Sequence, residues 1–537
     1  MTAVRRNTIA NFLGNGWTAL MGLIFVPVYI KYLGVEAYGL IGVFIVLQTW
    51  LSLLDFGMAP TLSREMARFN AGAHSDQSIR NLFHSLETIY LGMAIIIGCI
   101  NTVAAGPVAR DWLRAEQLSF DTVANALVVM GWGAAFRWMT ALYRGALQGL
   151  QRQVLLNWLS ASFATVRGAG AIAVLAFVSP TIVAFFAWQT VLGALEAAAL
   201  GWQLRRSLPC GQVPARFSFE EIRKVWHFAG GVFVISLLGV ALTQIDKVLL
   251  SWLLALSEFG YYTLAVSVAT ALGMITGPIS NATYPHMTIL ASADRTAALS
   301  NFYHNTAQTF SIIVIPLGLT ISLFAADLLL VWTRDEVLVA AVAPILSVYM
   351  IGTLLYAVIY PAGNLQLAYG WTRLSGYANG TALLFSIPLT LWLTPRLGAI
   401  AAAGIWVLIR LGYVLVVIPV MHQRLLPGET MRWYIDDLCK PALAALVVLA
   451  IGRIVVPEPA PGHELRIVVA TTIALGSSMF AAAAATAYGR YWILKCLRLL
   501  SSTMALVTSV PWSTCLRDLA PMWRLQRRPP SSPRQKS

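Results

Sequence analysis

Apolar residues in this chain do not recur singly at helical spacing. They run together in blocks of about twenty, parted by short polar or basic connections. A block of that length with few charges is what crosses the hydrocarbon layer of a bilayer as a helix. The pattern predicts about fourteen spans, at residues 9–30, 39–60, 86–109, 122–142, 154–178, 181–203, 229–252, 260–283, 308–332, 338–361, 375–395, 397–421, 441–457 and 465–487. The thirteenth is the weakest, because Arg453 falls inside it. The expected fold is an all-α polytopic membrane protein with almost nothing outside the bilayer.

The connections carry a second signal. Glu36-Ala37-Tyr38-Gly39, after the first span, matches Ser257-Glu258-Phe259-Gly260, after the seventh, at an offset of 221 residues. Gly149-Leu150-Gln151-Arg152, after the fourth, matches Gly370-Trp371-Thr372-Arg373, after the tenth, at the same offset. A constant offset implies two pseudo-symmetric six-helix lobes, over residues 1–203 and 229–425. Six is even, so both lobes run the same way, related by an axis along the membrane normal. Transporters built so bind substrate between the repeats. Residues 204–228 link the lobes. Within them, 217–226 reads as an interfacial amphipathic helix opened by a capping box of Ser218 and Glu221. Two extra helices occupy 426–489. Residues 490–537 form a basic tail, Pro-, Arg- and Ser-rich from about Ala520 and expected to be disordered against anionic lipid.

Composition supports lipid as the solvent. Of 537 residues, 58% are hydrophobic and 11% charged, against roughly 25% charged in soluble domains. Mean hydropathy is +0.70. A net charge of +14 would suggest nucleic acid in a soluble protein. In a membrane chain it points to loops facing anionic lipid, and no nucleic-acid partner is expected. With the N-terminus inside, the fourteen spans leave 26 Lys and Arg on the cytoplasmic side and seven outside. That bias follows the positive-inside rule and predicts a bacterial inner-membrane protein with both termini cytoplasmic. Arg5 and Arg6 precede the first block without a small-residue cleavage site, as an uncleaved first helix would. The five Cys are scattered, with no C-x-x-C pair, and are read as reduced and without a metal role.

Charges inside spans are the candidate chemistry, since one at a helix centre costs about 2.5–3.5 kcal/mol on insertion scales and usually faces a cavity. Arg167 and Arg410 fall near the middle of spans five and twelve. Arg137 lies in span four, two turns from Arg144 and on the same face. Lys247 sits beside Asp246 in span seven. The four bases inside spans, Arg137, Arg167, Lys247 and Arg410, are drawn from both lobes and, with Arg144 beside them, suggest a cationic cavity for a phosphate or diphosphate, which guanidinium groups match well. For Arg137 and Arg144 the other reading is snorkelling to the interface, and for Lys247 simple pairing. Asp246 and Glu196 are the better candidates for a coupling cation. Asp55, Glu87 and Asp327 lie near helix ends. Span one places Asn7, Asn11, Asn15, Thr18 and Gly22 on one face. Such a stripe, with Gln48 and Gln244, suits sugar hydroxyls in a wet cavity or equally well interhelical packing.

No phosphate-loop motif, H-E-x-x-H or G-x-S-x-G is present, and the seven His show no ligand spacing. No connection is long enough for a nucleotide-sugar domain. A cofactor, a metal and an enzymatic activity are therefore not expected, and a membrane polymerase or ligase would need a long external loop.

Residues 32–40 (Tyr32-Leu33-Gly34-Val35-Glu36-Ala37-Tyr38-Gly39-Leu40), followed by Leu54-Asp55-Phe56-Gly57-Met58 and Arg64-Glu65-Met66-Ala67-Arg68, resemble the polysaccharide transporters of the MATE-like (MOP) flippase superfamily, the Wzx-like O-antigen flippases among them. Gln244-Ile245-Asp246-Lys247-Val248-Leu249-Leu250, Phe259-Gly260-Tyr261-Tyr262 and Tyr284-Pro285 resemble the second lobe of that family. The similarity covers about residues 5–425. It implies two lobes forming a V, and alternating access that moves an undecaprenyl-pyrophosphate-linked glycan to the periplasmic leaflet for O-antigen, capsule or exopolysaccharide synthesis. It also implies cation coupling, and a polysaccharide polymerase and chain-length regulator as possible partners. The two extra helices resemble those of lipid II flippases. A lipid II flippase and a MATE-type exporter of cations are the alternatives, and the exporter would need acidic cavities.

Overall fold

The computed structural model describes residues 3–70, 72, 74–209, 213–293, 295–455, 464–496 and 498; the side chains of 3–12, 224–236, 238 and 455 lie outside the described set. The described backbone is almost wholly helical. The first lobe contains α1 (Ala3–Ile24), α2 (Val26–Leu51), α3 (Met58–Asn70), α4 (Asp76–Pro107), α5 (Phe120–Gly149), α6 (Gln153–Phe177) and α7 (Ile182–Ser207). The second contains α8 (Phe219–Leu253), α9 (Leu256–Thr270), α10 (Gly273–Ser292), α11 (Thr296–Leu323), α12 (Ala325–Thr333), α13 (Glu336–Ala368), α14 (Arg373–Leu397), α15 (Ala399–Gly412) and α16 (Ile418–Leu425). The short α17 (Thr430–Arg432) leads into α18 (Lys440–Val455) and α19 (Glu464–Ala485). Nine helical stretches among the described residues are long and apolar enough to cross a membrane. Helices α1, α5, α8, α14 and α18 lie at the other five predicted positions.

Helix breaks fall where the sequence permits them. The first span ends its straight run at Phe25, and Pro27 sits in the first turn of α2, where its missing N–H costs nothing. Gly34 then turns the chain at φ 80°, a conformation open mainly to glycine. Helix α2 is thus the end of span one joined to the start of span two.

The linker differs from expectation in one respect. Ser218 does cap a helix, its hydroxyl accepting from the Glu221 N–H at 3.4 Å. That helix is not a separate interfacial piece but the start of α8, continuous through span seven. Nothing between Glu220 and Leu253 stops helical hydrogen bonding, so no break forms. Upstream, the linker is tied to α4 by the Arg216 N–H on Asn81 Oδ1 (3.0 Å) and the Ser218 N–H on Ser85 Oγ (2.8 Å).

The repeat reappears as a contact. A Cβ on Gly39 would overlap the carbonyl oxygen of Leu256, and a Cβ on Gly260 would overlap that of Val35. Gly39 and Val35 become Gly260 and Leu256 on adding 221, so one contact is made twice, reciprocally, where the two lobes meet. This end, holding the connections after spans one and seven, is here the upper end. The second pair of matching segments is equivalent at another offset. Gln151 (φ 59°) and Gly370 (φ 65°) occupy the same left-handed position after α5 and α13. In both turns the next N–H returns to the helix, Arg152 to Leu147 and Trp371 to Gln366. Their offset is 219, so the lobes differ by two residues between the two landmarks.

The extra helices are attached by buried polar groups. Arg453, the flaw in span thirteen, donates to Asp327 at 2.6 Å, and Asp327 is fully buried. The pair explains how an arginine persists in α18. Gln308 on α11 donates to Asp437 (2.8 Å) and accepts from the Tyr488 N–H (3.0 Å). Residues 487–496 are helical, past the predicted start of the tail at 490, and the tail from 499 lies outside the described residues. Cys99, Cys439 and Cys496 are free thiols, and Cys210 and Cys515 lie outside the described residues.

Gly39→Leu and Gly260→Leu should each lower stability in detergent by about 1–3 kcal/mol, the usual range for overpacking. The double variant should cost less than the two effects added, because the first substitution already parts the helices. Thermal unfolding of the four proteins measures this, and strict additivity would refute the reciprocal contact.

Candidate functional site

Two chambers adjoin near the lobe interface. The first, about 560 Å³, has Gly22, Gly42 and Ile45 on the first-lobe side and Gln244, Lys247 and Tyr349 on the other. The second, about 440 Å³, lies in the second lobe and is lined by Asn281, Asn364, Asn379 and Arg410. Thr243, Tyr356 and Tyr360 line both.

Arg410 is buried among aromatic rings. It is 2% exposed on α15. Its guanidinium carbon lies 3.9 Å from the ring centre of Trp406, 4.3 Å from Tyr356 and 5.6 Å from Tyr413. Its Nε has no acceptor, and it makes no ion pair among the described residues. Cation–π faces contribute roughly 0.5–2 kcal/mol apiece, which offsets only part of the several kcal/mol that burying an ion costs. An anion in the second chamber would make up the difference. Asn364 is held by Ser280 (3.0 Å), and Asn379 accepts from the Tyr413 hydroxyl, which fixes the polar wall.

The first-lobe arginines are placed differently. Glu196 on α7 accepts from Arg144 on α5 and from Arg167 on α6, the latter at 2.5 Å. Arg137 shares this cluster electrostatically without an ion pair of its own among the described residues. Gly133, whose Cβ would overlap Thr190 of α7, lets α5 and α7 approach closely enough for this. Three cations around one carboxylate leave an excess of two positive charges. None of the three lines either chamber, so the basic residues of the two lobes do not share one cavity in this conformation. Lys247 does line the first chamber, but it is held by Asp246 (3.5 Å) and by the Thr243 carbonyl (2.7 Å). Asp246 also accepts from the Tyr262 hydroxyl at 2.5 Å.

The predicted polar stripe divides. Gly22 reaches the first chamber, whereas Asn15 is exposed and lines neither. Asn11 has its side chain outside the described residues. Gly14 packs on Asn157, and the Trp17 indole donates to Thr165 at 2.9 Å, so this part of α1 meets α6. Gln48 has a buried amide nitrogen without an acceptor and lines neither chamber. Gln244 lines the first. Asp55 caps α3 through the Ala59 N–H (3.0 Å), and Glu87 binds Tyr143 and Arg205.

Two features were missed in the sequence. One is the aromatic cage, although Trp406, Arg410 and Tyr413 are spaced four and three apart and so share a helix face. The other is the upper seal. Glu36, buried, accepts the N–H groups of Glu116 (2.6 Å) and Gln117 (2.8 Å) and holds the loop after α4. That loop crosses to the second lobe: Leu256 N–H donates to the Arg114 carbonyl (2.9 Å), Arg114 Nη1 to the Leu253 carbonyl (3.2 Å), and the Trp112 indole to Ser251 (3.1 Å). A backbone bridge between distant segments has no side-chain pattern to reveal it.

At the opposite end His304 meets Asp437 through Nδ1 and Glu429 through Nε2 (3.2 Å). Burial alone would raise the Glu429 carboxyl, but Ser300, His304 and Arg432 outweigh it and hold it below the usual carboxylate range. This network secures the stretch before α18 to α11.

A membrane-embedded, two-lobed helical bundle with adjoining polar chambers defines a transporter-type fold, and the chain belongs to the polysaccharide biosynthesis protein family, which it matches over residues 4–291. Among curated relatives, a Shigella flexneri protein named for O-antigen transport is 18% identical over 408 residues, covering 75% of this chain and 94% of that protein. The fold resembles the lipid II flippase MurJ in an inward closed conformation, with a TM-score of 0.64 and 13% identity over 88% of this chain and 97% of MurJ. It also resembles an inward-facing multidrug resistance MATE family transporter of the MOP superfamily, with a TM-score of 0.57 and 15% identity over 78% and 94%.

Glu196→Gln should destabilise the protein by about 3–5 kcal/mol, since it leaves buried guanidinium groups unpaired. Arg137→Gln should cost less than about 1 kcal/mol, because it relieves like-charge repulsion. Thermal unfolding in detergent compares the two, and equal losses would contradict this account of the cluster.

Proposed function

We propose that the protein is a flippase that carries a polyprenyl-diphosphate-linked oligosaccharide from the cytoplasmic to the periplasmic leaflet of a bacterial inner membrane. The observation that carries this reading is Arg410, buried without a carboxylate partner among the described residues in an aromatic and amide-lined chamber beside the lobe interface. A diphosphate matches the guanidinium fork, and the amides and tyrosines suit sugar hydroxyls. Family membership supports a role in polysaccharide biosynthesis, and the Shigella relative supports a lipid-linked glycan. The excess of Lys and Arg on one side supports both termini being cytoplasmic, which makes the sealed upper end periplasmic. Transport then requires the Trp112–Gln117 strap to release Ser251–Leu256 as the lower end closes. Arg144 and Arg167 act on the substrate only if Glu196 releases them. Asp246, between Lys247 and Tyr262, is the better coupling carboxylate, because its partner Lys247 lines the first chamber. A glycan polymerase and chain-length regulator would take the product.

The test uses proteoliposomes loaded with undecaprenyl-pyrophosphate oligosaccharide, following glycan exposure with an impermeant probe, with and without a pH gradient. Protein-dependent exposure is expected. Arg410→Gln should slow it about tenfold or more, the equivalent of about 1.4 kcal/mol, with membrane insertion unchanged. Full activity in Arg410→Gln, or efflux of a cationic dye with no glycan movement, would overturn the reading. A disulfide between Arg114→Cys and Ala255→Cys, which form a backbone bridge in the strap, should stop exposure until it is reduced.

A further inference from the structure

We propose that the lipid-facing groove between α14 and α15–α16 is a seat for the long isoprenoid tail of the substrate; this rests on the flippase reading and extends it. The groove encloses about 780 Å³ and is lined almost entirely by apolar side chains, among them Leu374, Phe385, Trp392, Leu408 and Val416. Several of these are largely exposed at the protein surface, Phe385 at 65% and Val416 at 62%. Small residues hollow it, with Ala378 and Ala382 on one wall and Gly412 on the other. At 413–417 the helix widens by a π-turn, and Tyr413, Val416 and Val417 of that turn line the groove.

Length selects the occupant. From Leu374 to Trp392 the groove follows α14 for about 27 Å at 1.5 Å per residue. That is nearly the whole hydrocarbon thickness of about 30 Å. A phospholipid acyl chain occupies one leaflet and would fill about half of it. A polyisoprenoid long enough to cross both leaflets fills it all. Such a tail need not turn over while its headgroup crosses.

Continuity selects the same ligand. Tyr413 lines both the groove and the Arg410 chamber, and its hydroxyl is bonded to Asn379 on the chamber wall. An amphiphile with its tail in the groove therefore has its first polar group one side chain from an arginine that makes no ion pair among the described residues. A neutral lipid would leave that arginine unanswered, and a soluble anion would leave the groove to bulk lipid.

The experiment uses the full chain in proteoliposomes with a polyprenyl phosphate bearing a diazirine at the end of its tail. Photo-adducts are expected on residues 374–392 and 405–420, displaced by excess unlabelled polyprenyl diphosphate and not by excess phosphatidylglycerol. Ala382→Trp should fill the groove and reduce these adducts about tenfold. Ala378→Phe, one turn nearer Leu374, should do the same. Binding of a ten-carbon prenyl diphosphate, too short to use the groove, reports that each variant is folded and should be unchanged. Equal displacement by phosphatidylglycerol, or undiminished adducts in both variants, would mean ordinary lipid contact and overturn the tail site. Labelling requires no transport, so the two readings fail separately. Glycan exposure without groove adducts overturns only the groove. Groove adducts that polyprenyl diphosphate displaces, without glycan exposure, keep the groove and overturn the flippase.

Discussion

A charge inside a bilayer has to be met by another charge, a polar group or a water-filled cavity, because hydrocarbon offers it nothing. That constraint organises this protein. Arg453 is met by Asp327, Arg144 and Arg167 by Glu196, and Lys247 by Asp246. The pairs on Asp327 and Glu196 join different helices, so these charges also fix which helices are neighbours, whereas Lys247 and Asp246 are consecutive residues of α8. Arg137 and Arg410 have no ion pair among the described residues; Arg137 lies beside the Glu196 cluster, whereas aromatic rings surround Arg410 and a polar chamber lies beside it. The space next to that buried ion is what the proposed function rests on.

The second constraint is how closely the lobes approach. Gly39 and Gly260 carry no Cβ, so each helix can press against the other's carbonyl oxygen at Leu256 and Val35. The strap from Trp112 to Gln117 adds backbone and side-chain hydrogen bonds across the same junction, and Glu36 anchors it by two charge-assisted bonds. The seal thus combines these backbone contacts with a buried apolar cluster that crosses the junction, including Leu40, Phe44 and Leu113 of the first lobe and Leu254, Leu256 and Phe259 of the second.

Membership of the polysaccharide biosynthesis family and a fold shared with MurJ and MATE structures agree with this mechanics. The isoprenoid groove and the Arg410 chamber would divide the work. The groove would hold the part of the substrate that never leaves hydrocarbon, and the chamber the part that must be shielded from it.

Much of the architecture was legible in the chain. Blocks of apolar residues fixed the spans, since length and composition alone decide whether a helix can cross a bilayer. Ser218 before Glu221 marked a helix start, and the glycine-bearing motifs at 36–39 and 257–260 marked the repeat. The sequence could not tell that α8 runs unbroken from the linker, because no residue there forbids either outcome. Nor could it tell that the second landmark is offset by 219, since short motifs align as well two residues away. For the site, the sequence determined which charges lie in the membrane. Only the tertiary structure decided which are neutralised, because pairing depends on helices far apart in sequence: Arg453 and Asp327 are 126 residues apart. The same holds for the aromatic cage. Trp406, Arg410 and Tyr413 share a face by local periodicity, but Tyr356 joins them only because α13 packs beside α15.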